Sequence, residues 1–386
     1  MPHRRRGNSV IVYVLLCLSA ILLTTGCSSR EAQDDPSSRR ASPSSQGTAS
    51  RPAARASFGA LVRDLPPRVR RELEPPPASG VILGEVIALG PAARAGLRPR
   101  DVITALDGTA IKNPCDLFKR LAKKGPGASV HLSIQRRNAT FDATVVLDEA
   151  VPLYTLACDT GDAAGCMLLA WEKKRTGNAL DLFQKACDAG LQDGCAASGK
   201  AFLDGDGIPE DTKRSLALFE RGCVLGSATA CAFEAFQYAT GRGVPQDDTR
   251  ATELYVKACD GGDPSGCYNL GLMAEKGRGT DQNLSRAFAA YSDGCEGGSS
   301  LACTNLGFLI ENGRGAPADE AKAASFYRLA CEGDGCGDRD PKGCLNFGIF
   351  TLHGRGVPED PARATELFHQ ACDGGEADAC ERLKAR

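Results

Sequence analysis

Fourteen of the eighteen cysteines stand in seven pairs between residues 158 and 380. The stretch ACDGGDPSGC (258–267) shows the pattern, with two thiols eight positions apart and glycines and a proline between them. Such thiols can bind a metal ion, perform redox chemistry or form a structural disulfide. Zinc usually takes Cys-x₂₋₄-Cys or mixed Cys/His sets, and the only histidines after the N-terminal segment are His131, His353 and His369. We therefore expect neither a metal ion nor another cofactor.

The N-terminus indicates the compartment. A basic segment (4–6) precedes an uncharged apolar run (10–23) of 14 residues, which is too short for a bilayer span of about 20 residues. These are the parts of a secretory signal peptide, predicted over 1–26. The sequence LTTGC (23–27) resembles a bacterial lipobox, with Thr24 where that motif usually has leucine. The resemblance implies a lipid anchor on Cys27 in the bacterial cell envelope; an ordinary secreted protein is the alternative.

Composition divides the rest of the chain. Residues 27–56 are rich in Ser, Pro, Ala, Arg and Gln without apolar periodicity, which predicts a disordered linker. Residues 57–150 hold 14 lysines and arginines against 10 aspartates and glutamates, whereas residues 151–386 hold 24 against 35. The acidic second part argues against a nucleic-acid partner, because phosphate binding depends on basic side chains.

Residues 57–150 alternate strand-like and short helical patterns. The segments SFGALV (57–62), GVILGEVI (80–87) and DVITALDG (101–108) read as strands, and NPCDLFKRLAKKG (113–125) has helical spacing. His131 falls in a further predicted strand and is expected on a sheet face. No Gly-x-Ser-x-Gly string occurs, so this segment is not expected to be a serine protease.

The run GPAARAGLRPRDVI (90–103) and the order of these elements resemble the PDZ domains of bacterial HtrA-type proteases. Arg100 departs from that family, which normally has glycine before the aspartate; we expect one altered turn, away from the peptide groove. PDZ domains add a peptide as an extra strand and hold its free carboxylate in backbone N–H groups. The resemblance implies a carboxylate-binding loop at Ser57, Phe58, Gly59 and Ala60, and a peptide groove at Leu61, Val62, Leu117, Phe118 and Leu121.

In residues 151–386 the first cysteines fall at 158, 187, 223, 259, 295, 331 and 372, so four of the six steps are 36 residues long. The clearest steps carry Cys-x-x-Leu-Gly, then a Gly-Arg-Gly turn, then an Arg-Ala-x-x-Leu-aromatic helix ending in Ala-Cys; the first step, of 29 residues, lacks the Gly-Arg-Gly turn. Two helical stretches per period indicate an α-solenoid. The segment resembles Sel1-like repeats, specifically those of the cysteine-rich proteins of Helicobacter, in about seven units.

Within this frame Cys259 ends one helix and Cys267 begins the next, equally far from the turn. Residues at such positions face each other and can form a disulfide in an oxidising compartment. We therefore expect the pairs Cys158–Cys166, Cys187–Cys195, Cys223–Cys231, Cys259–Cys267, Cys295–Cys303, Cys331–Cys344 and Cys372–Cys380. Cys115 and Cys336 are left over, and their pairing is open. Asp334, Asp338 and Asp340 lack the order of a calcium loop, so we expect a solvated acidic loop.

The sequence thus predicts a multidomain protein, a small α+β PDZ domain followed by an all-α, Sel1/TPR-like solenoid with disulfide-linked repeats. We expect a non-catalytic, membrane-tethered adaptor of the cell envelope that binds peptides with free C-termini and a protein partner. A β-lactamase or penicillin-binding activity, a label some cysteine-rich Sel1-like proteins carry, is one alternative, although Ser-x-x-Lys, Ser-Asp-Asn and Lys-Thr-Gly are absent. A structural, peptidoglycan-associated spacer is the other.

Overall fold

The computed structural model describes residues 56–174, 179–205, 208–333 and 339–384. It forms a β-sheet domain over 56–149 followed by a helical array over 150–384, which confirms the predicted order of an α+β domain and an all-α solenoid. The predicted signal peptide, nearly all of the linker and Cys27 lie outside the described residues. The same is true of Asp334, Cys336 and Asp338.

The first domain contains short antiparallel strands and three helices. Its strands are β1 (Ala56–Ser57), β2 (Ala60–Asp64), β3 (Val81–Val86), β4 (Val102–Leu106), β5 (Thr109–Ala110), β6 (Ser129–Arg136), β7 (Ala139–Val146) and β8 (Asp148–Glu149). Its helices are α1 (Pro67–Glu72), α2 (Pro91–Arg94) and α3 (Pro114–Leu121). The main sheet has the order β2-β3-β4-β6-β7, with β5 on β4, and β1 pairs with β8.

The alternation of side chains along β6 and β7 explains the packing of this sheet. Val130, Leu132 and Ile134 point into the core, while His131 between them is exposed on the other face, as expected. Asn113 caps the N-terminus of α3, and its side chain accepts a hydrogen bond from the Asp116 amide at 2.9 Å. This cap fixes where α3 starts and therefore which of its residues face the sheet.

Arg100 occupies a backbone conformation that favours glycine. Its φ angle is +73°, in the left-handed region where a Cβ atom crowds the backbone. The amide of Arg100 nevertheless donates to the Leu83 carbonyl at 2.8 Å, which holds the turn in place before β4. The departure from glycine at this position therefore leaves the turn intact and places a strained residue in it.

We expect Arg100→Gly to raise the free energy of unfolding of the first domain by about 0.5–1 kcal/mol, because glycine adopts this φ without the steric cost. Native-state hydrogen exchange of amides in β3 and β4 measures the change. Arg98→Gly is the matched control, since Arg98 is also exposed but is not among the positive-φ residues. A gain of equal size in the control contradicts the strain at Arg100.

The helical array consists of antiparallel helices joined by two alternating kinds of turn. The helices are α4 (Ala150–Asp159), α5 (Ala163–Lys173), α6 (Leu180–Asp188), α7 (Gln192–Asp204), α8 (Thr212–Val224), α9 (Ala228–Thr240), α10 (Asp248–Asp260), α11 (Pro264–Lys276), α12 (Leu284–Glu296), α13 (Ser300–Glu311), α14 (Glu320–Glu332), α15 (Pro341–Leu352), α16 (Pro361–Asp373) and α17 (Ala377–Lys384). Each repeat pairs an odd-numbered helix with the even-numbered helix that follows, from α5–α6 to α15–α16. We call the edge that carries the cysteine turns the disulfide edge, and α4 the junction helix.

Glycines of the repeat frame allow close approach between helices. A Cβ at Gly271 in α11 would lie 2.4 Å from the Tyr291 ring of α12, so only glycine leaves room for that ring. A Cβ at Gly279 would lie 2.0 Å from the Asp248 carbonyl oxygen of the preceding repeat. The second glycine of Gly-Arg-Gly therefore lets the turn contact the N-terminus of α10 directly.

The arginine of the same turn links neighbouring repeats by hydrogen bonds. Arg278 donates to the Asp248 carboxylate at 2.6 and 3.0 Å and to the Ala239 carbonyl at 3.0 Å. In the next repeat Arg314 pairs with Glu275 at 2.9 Å, and the same carboxylate accepts from the Tyr291 hydroxyl at 2.9 Å. This row of arginines holds the repeats together at the edge opposite the cysteine turns.

Seven disulfides close the turns of the disulfide edge, and they join the pairs expected from the sequence. Their partners are Cys158–Cys166, Cys187–Cys195, Cys223–Cys231, Cys259–Cys267, Cys295–Cys303, Cys331–Cys344 and Cys372–Cys380. Each links the second helix of one repeat, or the junction helix, to the first helix of the next. The disulfides therefore run between repeats and fix their spacing along the array.

We expect Cys259→Ala with Cys267→Ala to lower the free energy of unfolding by about 2–3 kcal/mol, because the loop then gains entropy in the unfolded chain. Urea denaturation measures the loss, and peptide mapping without reductant checks that the other six pairs remain. Substantial free thiol at the fourteen paired positions of the wild type, or an unchanged denaturation midpoint, contradicts a stabilising role.

Candidate functional site

The residues predicted to form the peptide groove lie on β2 and α3. Strand β2 pairs with β3 along one edge, and no strand pairs with its other edge among the residues that the structure describes. Val62 and Phe118 are partly buried and pack against the domain's apolar core, which includes Leu117 and Leu121. An unpaired strand edge beside an apolar helix face is the arrangement that accepts an added peptide strand.

The side chain of Leu61 lies outside the predicted groove. Successive side chains of a strand point to opposite faces, so Leu61 is directed away from Val62. It packs instead with Ile87 and with buried residues of the junction helix, among them Tyr154 and Ala157. The Leu61 side chain thus contributes to a contact between the first domain and the solenoid, while its backbone belongs to β2, the strand expected to pair with the peptide.

The predicted carboxylate-binding loop is folded as a tight turn and is buried. Gly59 has φ +73°, and its amide donates to the Ser57 hydroxyl at 3.0 Å. The Phe58 carbonyl accepts from the Ala92 amide at 2.8 Å, and the Gly59 carbonyl accepts from Ile87 at 3.0 Å. Ser57, Phe58, Gly59 and Ala60 are all buried. The loop is therefore a tight, buried turn, with one of its amides already hydrogen-bonded within the loop.

The junction helix covers this loop from the solenoid side. The Tyr154 hydroxyl donates to the Ser57 hydroxyl at 2.5 Å, and both residues are buried. A Cβ placed on Gly59 would lie 3.1 Å from Cδ of Pro91, within the domain itself, and 3.4 Å from Cδ2 of Leu153 in the junction helix. Burial raises the pKa of Tyr154 to about 12, so its hydroxyl remains a hydrogen-bond donor at neutral pH.

Charged contacts extend the interface along the disulfide edge. Arg63 of β2 pairs with Asp193 of α7 at 2.6 Å, and Arg71 of α1 lies 3.3 Å from Asp293 and 3.5 Å from Glu296 of α12. The basic partners belong to the first domain and the acidic ones to the solenoid. The charge difference between the two parts of the sequence thus corresponds to a contact that sequence reasoning did not predict.

Two acidic residues have structural roles that the sequence did not reveal. Asp101 is buried, and its carboxylate accepts from Arg136 at 2.6 and 2.8 Å; this hydrogen bonding raises the pKa of Arg136. Asp340 is also buried and caps α15, where it accepts from the Lys342 amide at 3.1 Å. The expectation that Asp340 belongs to a solvated acidic loop is therefore wrong, because its carboxylate is buried at the start of a helix.

The described residues contain no group of three or more His, Cys, Asp or Glu side chains that could hold a metal ion. Within the same residues no helix has the length and apolarity needed to cross a bilayer. Cys115 is buried in the first turn of α3.

Comparison with known families agrees with this architecture. The sequence profile of the PDZ domain matches residues 56–147, and that of the Sel1 repeat matches 176–191, 192–227, 230–263, 264–291, 300–335 and 341–376. The chain therefore carries a PDZ domain followed by a Sel1 repeat solenoid with disulfides between repeats. Both are mainly modules of protein interaction.

Individual relatives cover parts of the chain. A probable periplasmic serine endoprotease DegP-like protein of Brucella suis is 38% identical over 58 residues, which is 15% of this chain and 11% of the relative. The chain thus spans about a tenth of the length of the curated relatives that it matches. A Sel1 repeat protein from Oxalobacter formigenes has 24% identity and a TM-score of 0.53, covering 61% of this chain and 69% of its own. Cysteine-rich protein B of Helicobacter pylori has 28% identity and a TM-score of 0.29, covering 34% and 96%.

Proposed function

We propose that the protein is a non-catalytic adaptor of the bacterial cell envelope, with two binding modules on one chain. The PDZ domain binds the free C-terminus of an extended peptide, and the solenoid binds a second protein. The observation that carries the proposal is the unpaired edge of β2 beside the apolar residues Val62 and Phe118, at the end of which lies the Ser57–Ala60 loop. The joined interaction modules support the same conclusion.

Peptide recognition follows from these elements in two steps. The peptide backbone pairs with β2 in antiparallel fashion, and its terminal side chain packs against the partly buried Val62 and Phe118, which lie over the buried Leu117 and Leu121. The terminal carboxylate is held by the amides of Phe58, Gly59 and Ala60, because a glycine with positive φ lets three successive amides converge on an anion. Specificity for a free C-terminus therefore depends on the loop, and specificity for an apolar side chain depends on the groove.

We expect the full-length protein to bind fluorescein-labelled pentapeptides that end in a free-acid valine, and to bind their C-terminal amides at least about tenfold more weakly, since the amide forfeits charge-assisted hydrogen bonds. Fluorescence polarisation at high protein concentration measures both affinities. Phe118→Glu should abolish binding, whereas Phe308→Glu, the same change at an exposed position of the solenoid, should not. Equal binding of acid and amide, or no binding of either, contradicts the proposal.

The tether of the adaptor is a lipid anchor on Cys27. The support comes from the lipobox-like residues 23–27 and from the seven disulfides, which are typical of proteins outside the cytoplasm. Each acyl CH₂ buried in the membrane contributes about 0.8 kcal/mol, so several chains on one cysteine retain the protein.

Metabolic labelling with a palmitate analogue should mark the wild-type protein, and Cys27→Ala should remove both the label and the retention in the membrane fraction. Cys115→Ala is the matched control, because it removes a cysteine of the PDZ domain and leaves the N-terminal segment unchanged. Label that persists in Cys27→Ala rules out the anchor at this position.

A further inference from the structure

The position of the junction helix has a consequence for the PDZ domain. The Ser57 hydroxyl accepts two hydrogen bonds, from the Gly59 amide at 3.0 Å and from the Tyr154 hydroxyl at 2.5 Å. A peptide carboxylate in the loop would need the Gly59 amide as one of its donors. In this arrangement that donor is directed to Ser57, and the buried Tyr154 holds the Ser57 hydroxyl in place.

Apolar packing covers the loop in addition to this hydrogen bond. Leu153 of the junction helix lies against Gly59, and Leu61 and Ile87 pack into the same cluster as Tyr154 and Ala157. All four residues of the loop are buried, partly by the fold of the PDZ domain and partly by the junction helix. The junction helix therefore forms one side of the loop's cover, and residues of the PDZ domain form the other.

The remaining contacts hold the PDZ domain in this position. Arg63 and Arg71 reach Asp193, Asp293 and Glu296 on the disulfide edge, and the Ala88 amide donates to the Asp162 carboxylate at 3.3 Å. These ion pairs are half-exposed, and exposed pairs contribute at most about 1 kcal/mol each. These exposed ion pairs therefore contribute little beside the buried contacts of the junction helix.

We propose that the structure shows a closed state, in which the junction helix blocks the carboxylate-binding loop, and that peptide capture requires its release. The inference rests on the proposed peptide-binding function and adds a regulatory step to it. Tyr154 and Leu153 act as the cover, while Arg63 and Arg71 position the domain beneath it. Ser57 connects the two, because its hydroxyl bonds both to the loop and to the cover.

Release couples the two modules thermodynamically. A ligand that binds only the open state has an apparent affinity that is reduced in proportion to the fraction of molecules that are open. Peptide binding and the PDZ–solenoid contact are consequently antagonistic, and by reciprocity a protein that binds the open arrangement of the solenoid strengthens peptide capture. The adaptor would then engage its two partners cooperatively.

The test uses the full-length protein in three forms. The release variant combines Arg63→Ala, Arg71→Ala and Tyr154→Phe, which removes two charged side chains and one hydroxyl of the interface and keeps the apolar ring at position 154 in its buried cluster. The matched control is Arg68→Ala with Arg98→Ala, which removes the same positive charge from exposed positions of the PDZ domain. Tyr154→Phe alone is a milder second variant, in case the triple variant unfolds.

Two measurements distinguish the closed state from the peptide function. We expect hydrogen exchange of the Gly59 and Ala60 amides to accelerate in the release variant. Its affinity for the free-acid valine pentapeptide should rise about tenfold, which is the gain expected if about a tenth of the wild-type molecules are open. Tyr154→Phe should change both readings in the same direction, and the charge-matched control should change neither.

Equal exchange rates and equal peptide affinities in wild type and release variant overturn the inference, even if the protein binds peptides. Faster exchange in the release variant without peptide binding in any form supports the closed state and removes only the peptide-binding function. An affinity gain of the same size in the charge-matched control overturns it as well, because the gain then comes from charge and not from release.

Discussion

The fixed spacing between successive repeats is the constraint on which the rest of the molecule depends. At one edge each disulfide joins the end of a helix to the start of the next, with Cα atoms 4.3–4.8 Å apart. At the opposite edge the Gly-Arg-Gly turn touches the preceding repeat through Gly279 and grips it through Arg278. Because both edges are tied, neighbouring repeats can neither slide nor open like a hinge without breaking a disulfide or the contacts of Arg278 and Gly279 with the preceding repeat.

This rigidity is what allows the PDZ domain to rest on the solenoid. Its contacts fall on Asp162, Asp193, Gly262 and Asp293, which belong to different turns of one edge. A flexible array would not hold these groups at distances that match a single small domain. The disulfides therefore do more than stabilise individual repeats, since they maintain a row of acidic side chains that faces a basic surface.

The elements that local sequence determines were predictable, and those that depend on docking were not. The 36-residue period, the helices and the cysteine pairs follow from residues close together in the chain. Arg100 shows what a sequence pattern cannot predict. The family preference for glycine indicated a positive φ at this position, but not that an arginine would adopt it. The role of Leu61 and the bond between Ser57 and Tyr154 depend on two surfaces that meet in space. Their only sequence signal was the opposite net charge of the two parts.

The loop between Cys331 and Cys344 is five residues longer than the other cysteine loops, yet its Cα atoms are 4.4 Å apart, as in the shorter ones. The disulfide thus separates the length of the turn from the geometry of the helices on either side. Extra sequence inside such a turn leaves the register of the array unchanged. At the disulfide edge of this chain, five added residues are therefore accommodated without a change in the spacing of the two helices.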